Sequence, residues 1–120
     1  MVPVAKILVT EQEGASLLTF AGEYDVFSSR SLRDRIEHEL RRGVPCVLDL
    51  RGVTFIDSTV VSALLAAQRL SEDEAVRFAI VLPTDEASSV RRVFEVTHLL
   101  ALFQIYDDPD VAVDDLVNAS

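Results

Sequence analysis

Three consecutive residues, Asp57-Ser58-Thr59, put a carboxylate and two hydroxyls at one point of the chain. Two chemistries suit them. At the start of a helix, such side chains accept the free backbone N–H groups of the first turn, which is ordinary capping. A serine or threonine hydroxyl held on the surface can instead accept a phosphoryl group, gaining about −1.5 to −2 charges and several acceptor oxygens. Spacing alone favours the capping role for Ser58. Asp57 is read as a cap, or as the group that positions the serine hydroxyl.

The remaining reactive side chains point elsewhere. No glycine-rich phosphate loop and no Ser-His-Asp set is visible, and the two histidines, His38 and His98, have no partners at metal-ligand spacing. No catalytic residue, metal or cofactor is therefore expected. Cys46 sits alone in an apolar strand and reads as a buried structural thiol. Asp25 belongs to a turn and reads as a turn former. Asp49 reads as the end of a strand, accepting backbone hydrogen bonds. Arg91-Arg92, Asp107-Asp108 and Asp114-Asp115 read as solvated helix charge. Asp57 also permits a different class, a receiver-like domain phosphorylated on aspartate. That chemistry needs an acidic pair and a late lysine, and the single lysine, Lys6, falls in the first strand.

The elements that must position the trio follow from periodicity. Val4 to Thr10 and Ala15 to Phe20 are β-rich runs joined by Glu11-Gln12-Glu13-Gly14, which suits an antiparallel hairpin. A helix follows Gly22-Glu23-Tyr24-Asp25, with Ser28 as its N-cap, Phe27 and Leu32 as a hydrophobic staple, and Leu32, Ile36 and Leu40 as its apolar stripe. Arg41 and Arg42 suit the negative end of its dipole, and Gly43 its stop. Pro45 to Leu50 reads as a strand buried on both faces. A connection and Phe55-Ile56 precede a second helix from Ser58 to Leu70. Val76 to Leu82 is the next strand. Thr84 is read as the cap of a third helix whose inner face is Val90, Val93 and Phe94. Phe103 to Tyr106 is the last strand, and a final helix starts at Asp108-Pro109. The expected class is α/β, a single domain with a mixed, mostly parallel sheet of about four or five strands, an N-terminal hairpin and about four helices. In such sheets the loops past the carboxyl ends of the strands carry the binding surface, which places Ser58 there, exposed.

Composition narrows the function. The 120 residues suffice to bury about two-thirds of the unfolded surface in one core. Twenty acidic against eleven basic residues, a formal charge of −9, argue against binding nucleic acid or anionic lipid. A single cysteine excludes an internal disulfide and suggests a reducing compartment. With no signal peptide and no apolar run of membrane-spanning length read, a cytoplasmic domain is expected, and nothing demands more than a monomer.

Three segments in order resemble one family along essentially the whole chain, 1–120. Gly22-Glu23-Tyr24-Asp25 followed by Leu32-Arg33 is similar to the Gly-Glu-x-Asp and first helix of the bacterial STAS-domain anti-sigma factor antagonists. Asp49-Leu50, Val53 and Phe55-Ile56-Asp57-Ser58-Thr59 match that family's signature. Leu99 to Asp107 is similar to its closing leucine-rich turn and strand. The resemblance implies that Ser58 is a regulatory phosphorylation site, with Thr59 as the alternative. It implies a partner-facing set of Asp25, Asp57, Ser58, Thr59, Val60 and Val61. The implied partners are an anti-sigma factor with serine kinase activity, bound by the unphosphorylated form so that a sigma factor is freed, and a metal-dependent serine phosphatase. The chain itself would be ligand and substrate, not enzyme. One departure stands out: the family commonly continues with Gly-Leu-Gly where this chain has Val60-Val61-Ser62. Either the docking surface differs or Val60 points inward. The alternative function is a STAS scaffold or small-ligand module that is not switched in this way.

Overall fold

The computed structural model describes residues 5–118. The elements run β1 (Lys6–Gln12), β2 (Ala15–Tyr24), α1 (Ser29–Arg41), β3 (Cys46–Ile56), α2 (Ser58–Glu74), β4 (Phe78–Val81), α3 (Ser89–Val96), a 3-10 turn (Leu99–Ala101), β5 (Gln104–Tyr106) and α4 (Pro109–Asn118). They form one five-stranded sheet in the order β1-β2-β3-β4-β5. β1 and β2 are antiparallel and all other neighbours are parallel. The expected α/β architecture is thus the observed one. Val4, expected to open the first strand, lies outside the described residues.

Pleating assigns each face its partners. Leu18, Phe20, Leu48, Leu50 and Ile80 point to the face covered by α1, α2 and α3, whose Leu32, Ile36, Leu40, Val60, Leu64, Val90 and Phe94 complete the main core. Ala15, Val47, Ala79 and Val81 point the other way, onto Ala112, Val113 and Leu116 of α4. This is why Cys46 to Leu50 reads as a continuous apolar run: alternate residues serve two cores.

Several boundaries differ from the expected ones, each for a local reason. The hairpin turns at Glu13 and Gly14, with φ of 55° and 89°, the doubly left-handed geometry of a tight two-residue turn. β2 continues through Gly22-Glu23-Tyr24, because register shifts between Thr19 and Ala21 and between Gly22 and Glu23 let it stay paired with β3. Gly22 takes φ 97° at the second shift. β3 likewise runs to Ile56, so Asp49 lies mid-strand. Its buried carboxylate accepts the Arg51 backbone N–H at 3.0 Å and the Arg51 guanidinium, which satisfies a charge that would otherwise be costly there. α2 runs past Leu70 to Glu74 and stops on Ala75, at φ 55°, with Val76 N–H donating back to Ser71 O at 2.9 Å. β4 is shorter than expected. α3 begins at Ser89, capped by Ser88, whose side chain accepts the Arg91 N–H at 3.2 Å; Thr84 is not its cap. Gly43 ends α1 as expected, at φ 79°.

Candidate functional site

β2 and β3 are parallel neighbours with Tyr24 opposite Ile56. Asp25 and Asp57, each the first residue past its strand, therefore emerge side by side at the carboxyl edge of the sheet. Both carboxylates organise a helix start. Asp57 is the N-cap of α2, with extended φ and ψ of −112° and −174°. Its Oδ1 accepts the backbone N–H groups of Thr59 at 3.0 Å and Val60 at 3.3 Å, and the Thr59 hydroxyl donates to the same oxygen.

That assignment separates the two hydroxyls. Thr59 is half-buried and its hydroxyl is committed to Asp57. Ser58 is the first residue of α2, is exposed, and among the described residues its hydroxyl is engaged by no side chain or backbone group. The capping role that spacing favours for Ser58 falls to Asp57. Val60, named among the expected partner contacts, is fully buried in the main core, and Val61 is half-buried against it. Both support the site from beneath, and the bulk that replaces the family's glycine does not protrude. Ser62 is exposed one turn after Ser58.

At the neighbouring loop, Asp25 Oδ1 accepts the N–H groups of Phe27 at 2.9 Å and Ser28 at 3.2 Å, while Ser28 Oγ accepts the Asp25 N–H at 3.0 Å. The backbone hydrogen bonds from Ser28 and Phe27 hold the Asp25 carboxyl below its usual range. Asp25 thus holds the turn that leads into α1, and Ser28, at the N-cap position, caps no α1 donor with its own side chain. The expected staple does not form: Leu32 is fully buried, but Phe27 is 88% exposed. Val26, at 58%, and Phe55, at 44%, are exposed on the same edge. Sequence reasoning missed this patch because an apolar residue just before a helix is the usual signal of a staple.

α1 and α2 leave a groove of about 490 Å³ lined by Ser29, Arg30, Arg33, Thr59 and Ser62, joining the first turns of the two helices. Arg33 is paired with Glu37 at 2.9 Å. Ser89, at the start of α3, donates its hydroxyl to Thr54 O at 2.8 Å and ties a third helix to this edge. Lys6 lies on the edge strand β1, with β2 between it and β3, so the topology gives Asp57 no receiver-like lysine. Cys46 is buried, and burial pushes its thiol up to about 12, far from a reactive thiolate. Among the described residues, no three His, Cys, Asp or Glu side chains are grouped to hold a metal, and no helix is long and apolar enough to cross a membrane.

The family model of the STAS domain matches residues 6–112. The chain belongs to the STAS domain family. This STAS domain is similar in structure to an anti-sigma factor antagonist from Mycobacterium paratuberculosis, with 25% identity, 94% of each chain covered and a TM-score of 0.83. It shares its fold with SpoIIAA, an anti-sigma factor antagonist, in the unphosphorylated form, with 19% identity, 96% of this chain and 99% of the other covered, and a TM-score of 0.76. It also shares that fold with the Bacillus cell fate determinant SpoIIAA in the phosphorylated form, with 19% identity, coverage of 91% and 97%, and a TM-score of 0.67. No curated protein matches this chain in sequence.

Proposed function

We propose that this STAS domain is an anti-sigma factor antagonist switched by phosphorylation of Ser58. Unphosphorylated, it binds an anti-sigma factor that has serine kinase activity and so frees a sigma factor for transcription. The kinase transfers the γ-phosphoryl of ATP to Ser58 Oγ, and a serine phosphatase removes it. The domain is ligand and substrate in this cycle, acts in the cytoplasm as a monomer, and engages neither nucleic acid nor membrane. The observation that carries the reading is the uncommitted, exposed Ser58 hydroxyl at the first position of α2, beside a threonine whose hydroxyl is already held by Asp57.

The physical chemistry supports a switch that leaves the domain folded. A phosphate on Ser58 meets the positive end of α2, an interaction worth about 0.3–2 kcal/mol in its own favour. The cost falls on the complex, where a dianion must lose water against the partner. A loss of about 2.8 kcal/mol there weakens binding about 100-fold. With a net charge of −9 already present, total charge changes little, so the effect comes from position.

The test is incubation with ATP and the anti-sigma kinases of the source organism, purified one by one. Mass spectrometry is expected to place one phosphate on Ser58 and none on the Ser58→Ala variant. Pull-down is expected to retain the kinase on wild type and lose it on Ser58→Asp. Labelling at neither Ser58 nor Thr59, or equal retention by the two forms, overturns the reading.

A further inference from the structure

Among the described residues seven large apolar side chains are exposed, and three of them, Val26, Phe27 and Phe55, gather at the edge that carries Ser58. Phe27 is the most exposed of all, at 88%. It is also held there: its backbone N–H is fixed on Asp25 Oδ1 at 2.9 Å, and the Ser29 N–H that follows donates to Asp25 O at 2.8 Å. A turn hydrogen-bonded on both sides has its backbone ordered before docking, which favours an anchor. α1 begins two residues later, and its Ser29 and Arg30 share a groove with Thr59 and Ser62, so the turn that carries Phe27 leads into the groove beside the first turn of α2.

Charge selects the occupant. Asp25 is exposed and Glu23 and Asp57 are half-exposed around the patch, and Asp85 and Glu86 are exposed on the next loop of the same carboxyl edge; against these acids stand the exposed Arg30 and Arg33, the latter paired with Glu37. A second copy of the chain would bring the same carboxylates and another −9 charge against them. Anionic lipid is repelled in the same way. We infer that Val26 and Phe27 form the apolar anchor of the partner interface, inserted into an apolar pocket whose rim carries cationic side chains on the Asp25 side. This rests on the reading of the domain as an anti-sigma factor antagonist and adds to it the chemistry of the partner's face. The anchor supplies affinity whatever the state of Ser58, and the phosphate supplies the switch. An apolar pocket closing over Phe27 also excludes water from the first turn of α2, which is the condition under which a phosphate there becomes costly.

The experiment titrates the purified anti-sigma kinase against wild type, Ser58→Asp, Phe27→Ala, Phe27→Leu and the control Val111→Ala. Val111 is exposed on α4, across the sheet. Because Phe27 supports no core contact, Phe27→Ala is expected to melt with wild type. It is expected to bind about 30-fold or more weakly, as a buried aromatic anchor does, with Phe27→Leu in between and Val111→Ala unchanged. The association rate of wild type is expected to fall as salt is raised. If wild type binds and Ser58→Asp does not, yet Phe27→Ala binds like wild type, the anchor is overturned and the switch stands. A salt-independent rate overturns the cationic rim. A wild-type dimer in solution that Phe27→Ala dissociates assigns the patch to a second copy and overturns the inference. No binding by wild type overturns both readings.

Discussion

At Asp57 one carboxylate oxygen serves two backbone N–H groups and the Thr59 hydroxyl, leaving the Ser58 hydroxyl beside it unengaged among the described residues. The division of labour is local and testable. Asp57→Ala removes the cap and is expected to lower stability by about 0.5–2 kcal/mol in chemical denaturation. It also frees the Thr59 hydroxyl, so kinase labelling of Thr59 is expected to rise relative to Ser58, read by mass spectrometry. Val60 presents the opposite case. Its side chain is fully buried under the same turn, so Val60→Gly, which restores the family's residue, is expected to cost about 2–3 kcal/mol through the cavity and the helix. The measurement is the denaturation midpoint. Phosphorylation of the folded variant is expected to persist, because Ser58 already faces solvent.

Elements meet the site through their ends. Parallel β2 and β3 deliver Asp25 and Asp57 to one edge, where Asp57 caps α2 and Asp25 holds the turn that leads into α1. The periodicity of α1 was legible, since Leu32, Ile36 and Leu40 are all fully buried. Its start was not: Ser28 reads as a side-chain cap in sequence, but in the fold its hydroxyl is engaged with Asp25 in the preceding turn instead. The end of α2 was hidden because Ala75, rather than a glycine, takes the left-handed conformation. Gly14 is the converse, a left-handed position that its residue type announces. A Cβ there would meet nothing within 4 Å, so Gly14→Ala is a clean test of backbone cost. Its φ of 89° predicts a loss of about 1–2 kcal/mol, measured by thermal or denaturant unfolding, with the carboxyl edge and its binding unaffected.

Across the whole molecule, acidity that looked uniform resolves into separate tasks. Glu39 is buried at the amino end of the sheet, where it accepts the Ser16 hydroxyl at 3.0 Å and the Arg42 guanidinium at 2.9 Å. Burial alone would raise its carboxyl, but the hydrogen bonds from Ser16 and Arg42 and the charge of Arg42 outweigh it, and it titrates below the usual range. The folded state therefore binds its proton less readily than the unfolded chain. The resulting stability is present above the unfolded glutamate value and is lost as pH falls through the depressed folded one. Unfolding midpoints of wild type are expected to drop more between about pH 5 and pH 3 than those of Glu39→Gln. The sequence by itself determined the α/β class, the apolar stripes and the coincidence of Asp57-Ser58-Thr59 with a helix start, because these depend on residue type and short-range periodicity. Only the tertiary structure decided that Asp57 rather than Ser58 is the cap, that Val60 faces inward and that Phe27 faces out. Those outcomes depend on how two parallel strands bring their loops together, and the pairing of residues about thirty positions apart is not written in either segment alone.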